Sequence, residues 1–215
     1  MKLANVSGID FESKVGSWAS EEDNVVKILR CSSPNPLNFD QKLVKDIIGD
    51  LFSNPDVKVL EIGCGWGRNA QYFKDKENVK YYAFDTSPTS LELFSKQDFS
   101  KDRFYAALDI DETILSQEYD LIFSTYVLQH IGYPESVEVM NVNQILDKVV
   151  PCLKLDGCMF FHELFQGQNK WHPSNLVQHL NANQFNAVDT GAVKLEGGDG
   201  DPHNLIYARS MRDWK

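Results

Sequence analysis

The stretch Val57-Lys-Val-Leu-Glu-Ile-Gly-Cys-Gly-Trp-Gly-Arg-Asn69 decides the fold. Val57, Val59, Leu60 and Ile62 form the β-branched, apolar run of a strand buried in a sheet. The run breaks into glycines at alternate positions, Gly63, Gly65 and Gly67, and a helix is predicted over 69–76. Glycine allows a sharp turn and lets a ligand touch bare backbone. A helix that begins there presents unpaired N–H groups. The stretch therefore reads as the first βα turn of an α/β sheet, shaped to hold a ligand. Spacing narrows the ligand: a dinucleotide fingerprint, G-x-G-x-x-G, needs glycine at position 68. That position is Arg68, and the third glycine comes one residue early.

Outward from this turn, strands and helices alternate. Helices are predicted over 20–30 and 41–52, the second carrying Leu43, Ile47, Ile48, Leu51 and Phe52 at helical spacing. Strands are predicted over 79–85, 104–109, 119–125 and 158–162, and helices from Thr86 to Ser95, over 136–153 and over 173–180. The last two strands, 185–193 and 204–209, are joined by too short a connection for a parallel crossover, so they pair antiparallel. The pattern predicts an α/β, doubly wound, mainly parallel seven-stranded sheet with an antiparallel last strand and helices on both faces.

Bulk properties restrict function. The 215 residues suit one domain with a full core. Net charge is −10, from 31 acidic and 21 basic residues, and no Lys/Arg cluster is visible, which argues against a nucleic-acid partner. No apolar run approaches the ~20 residues of a membrane helix. The N-terminus lacks a signal-peptide apolar core, so a cytoplasmic protein without membrane association is expected. Cys31, Cys64, Cys152 and Cys158 form no C-x-x-C pair.

Strand, acidic residue and G-x-G-x-G together resemble motif I of the class I S-adenosylmethionine (SAM) dependent methyltransferases. The resemblance extends over about 56–209. It includes Ser124-Thr-Tyr-Val-Leu-Gln-His-Ile131 at the exit of strand four and Val150–Gly157, similar to the L-K-P-G-G element before strand five. It implies SAM as cofactor and divides the chain into an N-terminal helical or irregular cap, residues 1–44, and a SAM-binding domain, residues 45–215. Gly63 and Gly65 would face the methionine part of SAM. Cys64 would pack in the turn as a small residue, not act as a nucleophile. Glu61 would orient the amino group or hydrogen-bond turn amides. Asp85 would accept both ribose hydroxyls, with Thr86 at the adenosine rim. Asp109 would meet the adenine amine and the Ile110 N–H a ring nitrogen. Asp111 competes for that role, and Asp109 is preferred because the apolar run ends at Leu108. Ser124 and Thr125 would lie beside the methionine chain.

Three residues are candidates for catalysis: His130, Tyr126 bordering the methyl donor, and His162 at the exit of strand five. An imidazole near neutral pKa can act as a base, although a structural role in the loop is preferred for His130. His162, Glu163 and His172 do not form H-E-x-x-H, so no metal is expected. Trp171 and Phe165 would wall an acceptor pocket or belong to the core. The N-terminal segment and the strand-four loop, which holds Tyr133, would close over cofactor and acceptor; Trp18 would be a lid aromatic, with an exposed or core-packed position preferred, and Arg30 would pair with the SAM carboxylate or with acids around it. The resulting expectation is methyl transfer to an oxygen, nitrogen or carbon of a small-molecule acceptor. The alternatives are a protein or nucleic-acid acceptor, a non-catalytic SAM-binding protein, and a nucleotide-dependent oxidoreductase disfavoured by Arg68.

Overall fold

The computed structural model describes residues 2–3, 35–128, 139–140, 142–163, 173–196 and 203–211. Seven strands form one sheet: β1 (Val57–Ile62), β2 (Val79–Phe84), β3 (Phe104–Ala107), β4 (Tyr119–Thr125), β5 (Leu153–Glu163), β6 (Phe185–Val193) and β7 (His203–Ser210). Their order is β3-β2-β1-β4-β5-β7-β6. Neighbours from β3 to β5 are parallel, and β7 runs antiparallel between β5 and β6. Lys2–Leu3 and Val139–Met140 form a separate parallel pair.

The period of two in each strand sorts side chains to two faces. Leu60, Ile62, Ile122, Met159 and Phe161 share a core with Ile145, Leu146 and Val149 of α5 (Val142–Val149) and Leu176 and Leu180 of α6 (Pro173–Ala182). Val57, Val59, Leu121, Phe123 and Phe160 face the other way. They meet Leu37, Phe39, Val44, Ile47 and Ile48 around α1 (Lys42–Ile48), Phe73 of α2 (Ala70–Phe73) and Phe94 of α3 (Pro88–Ser95). Residues 37–44 of the expected cap segment thus contribute to the core of the sheet.

Several predicted elements are shorter than their apolar pattern. The helix expected over 41–52 stops at Gly49, which has a left-handed φ of 64°, and resumes as a single 3-10 turn at Leu51–Ser53. The helix expected over 69–76 is the four residues of α2. Within the helix expected over 136–153, Val139–Met140 is a strand, α5 begins at Val142, and Pro151 lies in a 3-10 turn, Val150–Cys152. β3 ends at Ala107, leaving Leu108 exposed.

The element before strand five also differs from a turn. β5 begins at Leu153, and its register against β4 jumps from Tyr119↔Leu153 to Leu121↔Cys158, so residues 154–157 bulge out of the ladder. Asp120 anchors the bulge, accepting from Lys154 Nζ at 2.8 and 2.9 Å and from the Lys58 N–H at 2.8 Å. A groove of about 300 Å³ beside it, lined by Asp50, Asp120 and Asp156 among others, is at the amino ends of the strands, the opposite end from the glycine turn.

Candidate cofactor and active site

Strand ends β1 to β5 converge where ligands bind in such sheets. The three turn glycines all have positive φ: 74° at Gly63, 53° at Gly65 and 90° at Gly67. Their surroundings separate their roles. A Cβ on Gly63 would meet both Val127 methyls at 2.4 Å, and one on Gly67 would meet Phe94 and Phe99 at 2.8 and 2.9 Å. A Cβ on Gly65 would meet nothing within 4 Å. Gly63 and Gly67 therefore serve close packing, and Gly65 carries the open backbone surface. The turn runs on through Cys64, whose carbonyl accepts from the Gly67 N–H at 2.9 Å. α2 has only four residues, and the N–H groups of Gly63, Cys64, Gly65 and Gly67 all donate within the protein, the first two to the Phe84 carbonyl.

Asp85 joins this turn to the next. One carboxylate oxygen accepts from the Gly65 N–H at 2.7 Å and the other from the Ser87 N–H at 2.9 Å. Ser87 caps α3 by accepting from the Ser90 N–H at 3.1 Å, so the capping task falls to Ser87. Thr86 is exposed beside it. After β3, the structure separates the two competing acids. Asp111 caps α4 (Glu112–Leu115) through the Ile114 N–H at 3.0 Å and accepts from the Tyr105 hydroxyl. Asp109 is half-buried and accepts from the Ile110 N–H at 2.7 Å.

Glu61 is 1% exposed, and its partners are side chains, not turn amides. It accepts from the Tyr81 hydroxyl and from Asn69 Nδ2, the latter at 2.8 Å. Burial pushes its pKa up to about 7; bonds from Tyr81 and Asn69 and the charge of Arg68 oppose the rise, and Asp85 adds to it. Asn69 Nδ2 also donates to Thr125 Oγ1 at 2.8 Å, and Arg68 donates to the same oxygen at 3.2 Å. Asn69 Oδ1 accepts from the Leu37 N–H at 3.1 Å. Ser124 points to the other face, where its hydroxyl donates to the buried Glu163. Cys64 is buried and its thiol pKa is driven far up by burial, consistent with packing and not with nucleophilic chemistry.

Tyr126 adopts a left-handed φ of 63°, uncommon for a bulky residue. Its N–H donates to the His162 carbonyl at 3.0 Å. Its ring meets His162 at 5.2 Å, His203 at 4.5 Å and the Arg68 guanidinium at 5.0 Å between centres. His162 is fully buried. Burial, then the charge of His203, and last that of Arg68 lower its pKa to about 3, and a bond with the Val193 backbone opposes them. A base must reach solvent-borne substrate and bind a proton near neutral pH, and this ring does neither.

His130 lies outside the described residues, as do Trp18, Arg30, Tyr133, Phe165, Trp171 and His172. Among the described residues, no group of three or more His, Cys, Asp or Glu side chains is placed to hold a metal. Sequence reasoning passed over Asn69 and His203 and used Arg68 only as an absent glycine. The available signal was the polar pair Arg68-Asn69 where a buried first helical turn would otherwise be apolar.

The Methyltransferase domain family matches residues 60–159. The malonyl-[acyl-carrier protein] O-methyltransferase of Acetivibrio thermocellus is 29% identical over 119 residues, covering 52% of this chain and 37% of that protein. This chain thus spans little more than a third of that relative's length. The plantazolicin methyltransferase BpumL, solved with S-adenosylhomocysteine (SAH), superposes with TM-score 0.58 at 12% identity, over 95% of this chain and 92% of that one. An rRNA methylase from Streptococcus thermophilus gives TM-score 0.56 at 13% identity, covering 79% of this chain and 95% of that one. At those identities the structural likeness speaks for the fold alone. The matched Methyltransferase domain, residues 60–159, holds the glycine turn between the ends of β1 and β2, and in this part the chain is similar to the SAM-dependent methyltransferases.

Proposed function

We propose that this chain transfers the methyl group of SAM to an oxygen, nitrogen or carbon of a small-molecule acceptor. The observation that carries the reading is the open backbone face at Gly65, tied by its N–H to Asp85 and followed along the sheet by Asp109. These fit a nucleoside with an amino-acid arm. Asp85 is the ribose acceptor, with Thr86 at the rim, and Asp109 takes the adenine amine; the Ile110 N–H, which donates to Asp109 in this structure, would have to turn from it to the adenine ring nitrogen. Gly63, Cys64 and Gly65 form the floor under the methionine part, with Thr125 beside it; the Ser124 hydroxyl, turned to Glu163, is not available for the role expected of it. Glu61 acts through Asn69, because its carboxylate is buried and held by Asn69 and Tyr81.

Bound SAM supplies an activated methyl on a sulfonium leaving group. The chain's own residues then have to align the acceptor and exclude water, an effect worth roughly 7–11 kcal/mol in good cases. A general base is not required by this chemistry. Tyr126 borders the donor side, and its contacts with His162, His203 and Arg68 hold its ring in place. The small-molecule acceptor is supported by the net charge of −10, which disfavours a phosphate backbone, and by plantazolicin in the name of one structural neighbour; the acceptor in the name of the curated relative is a malonyl group borne on a carrier protein. The test is SAH formation from SAM across small hydroxy, amino and carboxylic acids, acyl-carrier thioesters and rRNA. Turnover confined to rRNA or protein would refute the small-molecule reading. Tighter binding of NAD than of SAM or SAH would refute the cofactor.

A further inference from the structure

We propose that Asn69 is a positioning residue for the amino-acid arm of the cofactor, a role that rests on the cofactor reading above. Its side chain is 1% exposed and spends both donor hydrogens and an acceptor site on three separate parts of the chain. Nδ2 donates at 2.8 Å to Glu61 at the end of β1 and at 2.8 Å to Thr125 at the end of β4. Oδ1 accepts at 3.1 Å from the Leu37 N–H in the segment that leads into α1. The amide orientation is dictated by its neighbours: the carboxylate must receive a donor and the Leu37 N–H must find an acceptor.

The consequence lies at Thr125. A hydroxyl has two acceptor positions and one hydrogen to give. Asn69 and Arg68 both donate to Thr125 Oγ1, at 2.8 and 3.2 Å, so its own hydrogen is left to serve as a donor. Asn69 therefore turns Thr125 into a donor beside the methionine arm, holds Glu61, and ties the N-terminal segment to the same point. Asparagine alone among small side chains meets these demands. Aspartate keeps the shape and the Leu37 contact, but it replaces both donors with lone pairs facing Glu61 and Thr125.

The role predicts selective loss. SAH carries the amino-acid arm, whereas 5′-methylthioadenosine has the nucleoside without it. Titration calorimetry of the full chain with both ligands, together with thermal melting, separates positioning from folding. Asn69→Asp should weaken SAH binding at least tenfold and leave 5′-methylthioadenosine within twofold of wild type. Equal weakening of both ligands, or of neither, overturns the proposal. Should Asn69→Asp fail to fold, Thr125→Val tests the same link from its other end, with the same selective loss expected and the same outcomes against it. Wild-type protein that binds neither SAM nor SAH would instead refute the cofactor reading itself.

Discussion

Replacing Asp85 by alanine removes two contacts at once, and the structure sets the size of the effect. Its carboxylate accepts from the Gly65 N–H at 2.7 Å and the Ser87 N–H at 2.9 Å, joining the turns after β1 and β2. Hydrogen bonds to a charged group are worth about 1.5–3 kcal/mol each when buried. Asp85 is only half-buried, so the pair together is placed at the lower end, roughly 2 kcal/mol. For a chain of this length that corresponds to a melting temperature lower by about 4–8 °C. The ribose contact proposed for the same carboxylate adds a loss of about tenfold or more in SAH affinity. Asp85→Asn retains one acceptor oxygen and should fall between wild type and Asp85→Ala on both scales. Differential scanning calorimetry and titration with SAH, on the same preparations, supply both readings. An Asp85→Ala protein with unchanged melting temperature would show that the two backbone bonds do not hold the turns. Unchanged SAH affinity would move the ribose role to another residue.

Gly63→Ala should be far more damaging to folding than Gly65→Ala, since only the first adds a Cβ that collides with Val127 at 2.4 Å. Gly65→Ala should lower stability by about 1–3 kcal/mol through its left-handed φ and mainly weaken SAH binding; urea melts and titration distinguish the two. Glu61 holds its proton more tightly when folded, with a pKa up to about 7 from 4.5, so its contribution to stability is full below pH 4.5 and lost as pH rises to about 7. The difference in melting temperature between wild type and Glu61→Gln should change across that window and be flat above it. His162 has the opposite sign. Its pKa is lowered to about 3 from 6.5, so its contribution is present above pH 6.5 and lost as pH falls toward 3. His162→Phe should be less acid-sensitive than wild type, and an acid titration followed by circular dichroism checks this. Identical acid midpoints would show that the buried ring is not what titrates.

What the sequence alone determined is local in origin. The apolar runs at 57–62 and 119–125, the glycines at 63, 65 and 67, and the short connection between 193 and 204 each follow from a few adjacent residues. They suffice for an α/β sheet with an antiparallel end and a ligand turn after its first strand, because backbone geometry responds to neighbouring side chains. Only tertiary structure decided matters that depend on partners distant along the chain. The bulge at 154–157 exists because Asp120 holds Lys154 and the Lys58 N–H. Asp111 became a helix cap and left Asp109 at the strand end, although the two differ by only two positions in sequence. Asn69 meets Leu37 and Thr125, 32 and 56 residues away, and no periodicity marks such a residue in advance. A buried amide is specified by which donors and acceptors the folded chain brings to it, and that information arises only when the strands have taken their places side by side.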